Sequence, residues 1–303
     1  MLKQSYNDIR ILGKLNDIDL TERDSAKDGR HYISGKISFL VEQKVSGMME
    51  QEIIPVQIFA FEKTNAGNAN PAYQNSYDVM TKGTSVAAVG EIDKADIYEL
   101  NSGRIRENIF QSRDGTIVSY TQIDGSFFTK RKPGEFEDEA SFEQEIIIAN
   151  MVEEEVDETP TGRLLIDGLV IQYNGLPDKV RYVVENKEAI AYITQNWEVE
   201  DTVKVSGKIR FCAQTMESQS NEEVGFGEAP THTRVRTIRE FVITSGTPPY
   251  DEDRKYDCEE VTEALARKKH ESEERLKQQQ QAKTRTSSLG GTTTSSNRLN
   301  RGF

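Results

Sequence analysis

Asp201-Thr202-Val203-Lys204-Val205-Ser206-Gly207-Lys208-Ile209 follows closely on a helical stretch from Lys187 to Trp197. Valine, valine, glycine and isoleucine at every second position describe a strand with one face turned inward and its cations on the other. The first half of the chain holds a similar pattern. There a helical stretch from Ala72 to Lys82 leads through Gly83 and Thr84 into Val86, Ala88, Gly90 and Ile92. A helix-into-strand unit occurring once in each half predicts two copies of one small β-domain rather than a single large enzyme fold.

Outward from these units, alternation supplies the remaining strands. Asp8 to Asp19 reads as a first strand bent at Gly13, Ile33 to Val41 as a second and Ile53 to Phe61 as a third. Thr21 to Arg30 and Thr64 to Pro71 read as loops, and strands are expected over Val86 to Ile92, Ile97 to Leu100 and Val118 to Phe128. In the second half, Leu164 to Tyr173 and Val180 to Val184 flank a hairpin turn at Asn174-Gly175. A helix from Glu188 to Asn196 and strands Val203 to Phe211 and Thr233 to Thr244 follow. Three strands, a helix and two more strands describe a small closed barrel of the oligonucleotide-binding (OB) kind.

The fold class is therefore mainly β: two tandem OB-like β-barrels, each with a short helix, then a C-terminal helix and a disordered tail. Residues 1–152 form the first barrel with an extra strand that includes Ile146-Ile147-Ile148. Residues 153–160 form an acidic linker and 161–250 the second barrel. Residues 251–282 read as an exposed helix, with few apolar anchors beyond Val261, Leu265 and Leu276, and 283–303 as a Ser/Thr/Gly/Asn tail without a core.

A length of 303 residues leaves room for two such domains and a tail. No run approaches the roughly 18 apolar residues of a membrane span, and Met1-Leu2-Lys3-Gln4 opens no signal-peptide pattern. A cytoplasmic protein, in the host cytoplasm if viral, is expected. Cys212 and Cys258 read as reduced, and His31, His232 and His270 have no zinc-like spacing, so no metal and no cofactor are expected. The chain lacks a phosphate-binding loop, a dinucleotide fingerprint and any local Ser/His/Asp or Cys/His signature, which argues against an enzyme. The net charge of −13 excludes coating of nucleic acid through bulk charge alone. Much of the acid lies between Glu135 and Glu158, a stretch without Lys or Arg, so a local basic groove elsewhere stays open.

Parity selects the candidate site residues. If Val56, Ile58 and Ala60 fill the barrel, Phe59 and Phe61 face outward, where bases of a single strand could stack on them. Phe127 and Phe128 run directly into Lys130, Arg131 and Lys132, a pairing of rings and cations suited to the same ligand. In the second half, Lys204, Lys208 and Arg210 share one strand face near Arg234 and Arg236, and Tyr173 and Tyr182 flank the hairpin turn. Covering loops, cross-strand partners or an ordinary charged exterior would account for the same residues without any ligand. Trp197 reads as a plug at the barrel bottom.

Gly83-Thr84-Ser85-Val86-Ala87-Ala88-Val89-Gly90 and Asp201-Thr202-Val203-Lys204-Val205-Ser206-Gly207 both resemble the strand after the helix in OB-fold single-stranded DNA-binding proteins. Val56-Gln57-Ile58-Phe59-Ala60-Phe61 resembles the strand of that family whose rings stack on bases, and the layout is similar to bacteriophage members with two barrels. The resemblance spans about residues 5–245. It implies sequence-independent binding of single-stranded DNA in phage-type replication or recombination, by stacking and phosphate contacts and without catalysis. Family members usually end in an acidic tip with a terminal Phe that recruits replication proteins. This chain keeps Phe303 but precedes it with Arg298 and Arg301, which puts recruitment of replication or recombination proteins by the tail in question. The acidic stretch could compete with DNA for the groove. The alternative is a structural or assembly protein whose tandem β-domains bind other proteins, with self-association through the outward rings.

Overall fold

A computed structural model describes residues 2–112, 115–156, 158–219 and 231–289, with side chains described in all of these except 212–219, 231–237 and 278–289. In chain order the elements are β1 (Asn7–Asp24), β2 (His31–Val45), β3 (Met48–Phe61), α1 (Pro71–Lys82), α2 (Val86–Val89), β4 (Ile97–Gln111), β5 (Ile117–Arg131), β6 (Glu139–Val156), β7 (Thr159–Ile171), β8 (Pro177–Val184), α3 (Lys187–Asn196), β9 (Thr202–Gln219), β10 (Thr231–Gly246) and α4 (Cys258–Leu289).

Alternating Ile33, Ile37, Phe39, Val41, Ile54, Val56 and Ile58 turn one face of β2 and β3 away from water. Burying each such side chain stabilises the fold by about 1.5–3 kcal/mol. Curling the sheet shut hides that face completely: β1 pairs with β2, β2 with β3, β3 in parallel with β5, β5 with β4, and β4 with β1. The closing contact is short, Val56 to Ile123 and Gln57 to Asp124. Beside it a Cβ on Gly125 would run into Val56 Cγ1 and Leu100 Cδ1, so a side chain there would force those core side chains to shift. A second ring closes in the same order, β6 with β7, β7 with β8, β8 in parallel with β10, β10 with β9, and β9 with β6. In each ring a helix between the third and fourth strands packs on the core. Asn70 and Asn186 cap these helices by accepting from Ala72 N and from Glu188 N and Ala189 N. Tyr73 and Val79 of α1, and Ile193 of α3 with the buried Trp197, point inward.

The rings share an edge. Asn7 to Leu12 of β1 runs antiparallel to Gln144 to Glu139 of β6. A polar chain, buried at Tyr182 and Gln144, crosses this joint: Tyr182 Oη donates to Gln144 Oε1 at 2.6 Å, Gln144 Nε2 to Asn7 Oδ1 at 2.9 Å, and Asn7 Nδ2 to the Ile105 carbonyl at 2.9 Å. The β2–β3 hairpin laps over the second ring as well, where Gln43 bonds the Ile209 carbonyl and the Ala140 N–H, and Glu52 accepts from Phe211 N.

Four sequence expectations are corrected. Val86 to Ile92 is not a strand: Ser85 caps the short helix α2 by accepting from Ala88 N, Gly90 ends it in the left-handed region, and a 3-10 turn follows at Ile92–Lys94. The fourth strand is instead β4, which carries Ser102-Gly103-Arg104-Ile105 where β9 carries Ser206-Gly207-Lys208-Ile209. Gly103 lies opposite Ile9 of β1 as Gly207 lies opposite Phe142 of β6. In the stretch 153–160, expected as a linker, residues 153–156 end β6 and 159–160 begin β7, with Glu153 opposite Leu164 and Val156 opposite Thr159. The extra strand expected in the first barrel is β6, which pairs with β1 and also founds the second ring.

The fourth correction concerns α4, which is docked: Val261, Ala264 and Leu276 are buried, and Val261 and Ala264 pack with Ile147, Leu169 and Ile171. Lys268 Nζ reaches Glu107 of β4 at 2.6 Å and Asp178 of β8 at 2.7 Å, tying one ring to the other. The helix extends to Leu289, and residues 290–303, with most of the expected tail and Phe303, lie outside the described residues. Among the described residues no helix is long and apolar enough to cross a membrane.

Candidate functional site

The outward face of the first ring holds a groove of about 720 Å³ across β2, β3, β5 and β4. Strand parity builds it. Where Ile33 and Ile58 point inward, Tyr32, Ser34, Phe59 and Phe61 point out, and the pairing sets Tyr32 opposite Phe61 and Ser34 opposite Phe59. The three rings touch in an angled cluster, with centroids 5.2 Å apart for Tyr32 and Phe59 and 5.0 Å for Phe59 and Phe61. Phe59 is 61% exposed, an unusual position for a large ring without a cover. Arg30, held by Asp28 at 2.7 Å, stacks its guanidinium 3.8 Å from the Phe61 centroid.

β4 and β5 form the opposite wall. Their register brings Arg104 beside Asp124, Arg106 beside Gln122 and Asn108 beside Tyr120. Arg106 is tied to Asp124 at 3.3 Å, while Arg104 has no carboxylate partner among the described residues. Asn108 donates to Tyr120 Oη and to Gln122 Oε1, which fixes the polar end of the groove, and Tyr120 meets Phe110 edge to face at 5.8 Å. Rings to stack on, amides along the floor and an unpaired cation suit a flexible polyanion with flat bases.

Of the residues selected from sequence, Phe59 lines the groove and Phe61 packs edge to face against that ring at the end of β3. Phe127, 40% exposed, stands at the groove margin beside Ser126. Its φ of 64° lies in the left-handed region, and Asn75 of α1 clamps the next residue by bonding both Phe128 N and the Phe128 carbonyl. Phe128 is a correction: adjacent residues on a strand face opposite ways, and it is buried against Phe39 at 6.1 Å. Lys130 is paired with Asp96 at 2.7 Å and Arg131 with Glu99, while Lys132 is exposed. Arg131 and Arg10 hold the Glu99 carboxyl below its ordinary pKa despite the burial that opposes them, so these cations are already committed.

The second-ring selections fare differently. Tyr182 is fully buried, at the same parity as Val180 and Val184, and burial raises its pKa; it is a core residue and not a stacking platform. Tyr173 is 69% exposed at the β7–β8 turn, away from the groove. Lys204 pairs with Glu143 and Lys208 with Glu139 at 3.2 Å, because β6 runs alongside β9. Arg210 is buried between Glu50, Glu185 and Glu240 at 3.0, 2.7 and 3.0 Å. These carboxylates outweigh the cost of its burial and raise its pKa. The side chains of Arg234 and Arg236 lie outside the described ones.

Sequence reasoning missed Arg30, Tyr32, Arg104, Arg106, Phe110 and Tyr120. The signal for the arginines was present: Arg104, Arg106 and Asn108 alternate with the inward Ile105, a strand pattern that runs on beyond Leu100.

A family model described as YorF matches residues 5–281. Among solved structures, the wild-type single-stranded DNA binding protein from Thermus aquaticus is similar, with a TM-score of 0.51 at 8% identity, over 84% of this chain and 98% of that one. A deletion mutant of that protein gives 0.49 at 10% identity over the same shares. At these identities the likeness is one of fold. No curated protein matches the chain.

Proposed function

We propose that this chain, which belongs to the YorF family, binds single-stranded DNA without reading its sequence and without catalysis. The observation that carries the reading is the first-ring groove, where the exposed Phe59, backed by Tyr32 and Phe61, shares the lining with the unpaired Arg104. Stacking on such rings is tolerant of sequence because every base has a π-face, and it excludes duplex, whose bases are already stacked. The fold shared with a protein described as single-stranded DNA binding supports the same reading. In it the rings, residues 7–131 and 139–246, act as two barrels of one binding protein. The role is phage-type DNA replication or recombination, which the resemblance to two-barrel phage proteins supports.

Fluorescence anisotropy of labelled poly-dT, with an equal length of duplex as control and salt varied, tests the reading. Expected is salt-sensitive binding to the single strand alone, weakened in Phe59→Ala by about 1–3 kcal/mol. An absence of binding at low salt would move the exposed rings to a protein interface, as in an assembly protein.

A further inference from the structure

The groove does not stop at the first ring. Gln57, Tyr120 and Gln122 line both the main groove and a second hollow of about 250 Å³ that adjoins it. That hollow is also walled by Lys36 of β2 and by Phe211 and Arg239 of the second ring. Lys36 and Arg239 are exposed and have no carboxylate partner among the described residues. Arg239 lies over the Phe211 ring at 6.0 Å, which places a planar cation above an aromatic surface where the two rings meet.

The second ring's own β7–β8 face offers nothing comparable. Its exposed cations, Lys179 and Arg181, are both spent on Asp167, at 3.0 and 2.8 Å, and α4 covers Leu169 beside them. Arg181 and Lys179 hold the Asp167 carboxyl below its ordinary pKa against its burial, so that set is electrostatically closed.

We infer that the second ring serves the first ring's groove: one strand of nucleic acid leaves the Phe59 cluster, passes Gln57 and Lys36, and reaches Arg239, in one continuous track with one binding event per chain. This rests on the proposed single-strand binding. It differs from two barrels that each bind through their own outer face. In the chain, Lys36 and Arg239 add phosphate contacts only for a ligand long enough to leave the first-ring groove.

The test uses the full chain and dT oligomers of about 4, 8 and 16 nucleotides, the range one OB ring covers. Arg239→Glu is compared with Tyr173→Ala on the second ring's far turn and with Phe59→Ala in the groove. Expected for Arg239→Glu is an unchanged Kd with the shortest oligomer. With the longest, a loss of about tenfold and a salt slope reduced by about 0.7 per lost contact are expected. Tyr173→Ala should bind all lengths like the parent, and titration should give one strand per chain. If Arg239→Glu is silent at every length while Phe59→Ala weakens binding, the track is wrong and the groove stands. If Tyr173→Ala weakens the long oligomer alone, the strand crosses the second ring's own face and the track is overturned. Silence of Phe59→Ala at every length removes the groove reading and the track together. Arg239 is exposed, and thermal unfolding of each variant separates lost contacts from lost fold.

Discussion

The two rings have the same strand order and pairing, yet their outer faces treat charge in opposite ways. On the first ring, Ser102-Gly103-Arg104-Ile105 places Arg104 in an open groove beside exposed aromatic rings. On the second, Ser206-Gly207-Lys208-Ile209 places Lys208 against Glu139, and Lys204, four residues earlier on the same face, lies against Glu143. The backbone supplies an outward cation at the same place in both. What differs is the neighbour: among the described residues no carboxylate of β1 pairs with Arg104, whereas β6 sets Glu139 against Lys208 and Glu143 against Lys204. A cation already held by a carboxylate must give up that pair before it can meet a phosphate, so equal counts of lysine and arginine do not make equal binding faces.

The comparison requires the rings to keep a fixed relation, and Glu52 is the weak point of that joint. Its carboxyl is fully buried, accepts from Phe211 N at 2.7 Å, and leaves Oε1 without a hydrogen bond. Burial raises its pKa to about 7, with Glu50 adding to the effect and the Phe211 N–H, Gln43 and Arg210 opposing it. The unfolded carboxyl titrates near 4.5, so between that pH and 7 the unfolded chain releases a proton that the folded chain keeps. Stability from this group is therefore full below about pH 4.5 and falls as pH rises through 7, by about 3 kcal/mol in all. Urea midpoints at pH 5 and pH 8 should diverge in the parent and lie closer together in Glu52→Gln, which imitates the protonated acid. Parallel pH curves for the two proteins would remove Glu52 from the joint.

A direct way to break the comparison is to reverse the two matched cations separately. Arg104→Glu is expected to weaken poly-dT binding about tenfold and to flatten its salt dependence, since it deletes a free phosphate contact and adds a repulsive one. Lys208→Glu should leave binding within about twofold, although it lowers stability by setting a glutamate beside Glu139. Equal losses of affinity would mean that both faces carry DNA.

How far the sequence reveals this contrast depends on how local each feature is. Strands, helices and the turn at Asn174-Gly175 were legible because alternation, Asn caps and turn residues act over a few positions. Val86 to Ile92 misled because two valines around two alanines alternate acceptably as a strand, while the Ser85 cap and the left-handed Gly90 favour a helix. Ser-Gly-(Arg/Lys)-Ile was the more specific repeat. Phe59 and Phe61 were legible from parity, and the same rule, applied strictly, puts Phe128 and Tyr182 inside. The pairing of the second-ring lysines was not legible, because Glu139 and Glu143 are distant in sequence and meet β9 only once β6 lies beside it. The acidic stretch does act against the second-ring lysines, but through these two residues on β6; in the hairpin Glu154 pairs instead with Arg163 at 3.4 Å.

That correction yields the smallest and most discriminating effect. If partners alone silence the second ring, replacing Glu139 and Glu143 by glutamine should free Lys208 and Lys204 without altering shape. Phosphate contacts would then become available on a face that has cations but no ring cluster like that around Phe59. The expected gain is two- to threefold in affinity for long poly-dT, with the salt slope steeper by up to about 0.7 for each lysine engaged. Lys204 Nζ also lies 4.7 Å from the exposed Tyr6 ring, with Tyr250 close by. Anisotropy at three salt concentrations resolves the slope even where the change in Kd is small. An unchanged slope in the double variant would show that silencing the second ring takes more than its glutamates. The missing aromatic surface, not the pairing of charge, would then be what separates the two faces.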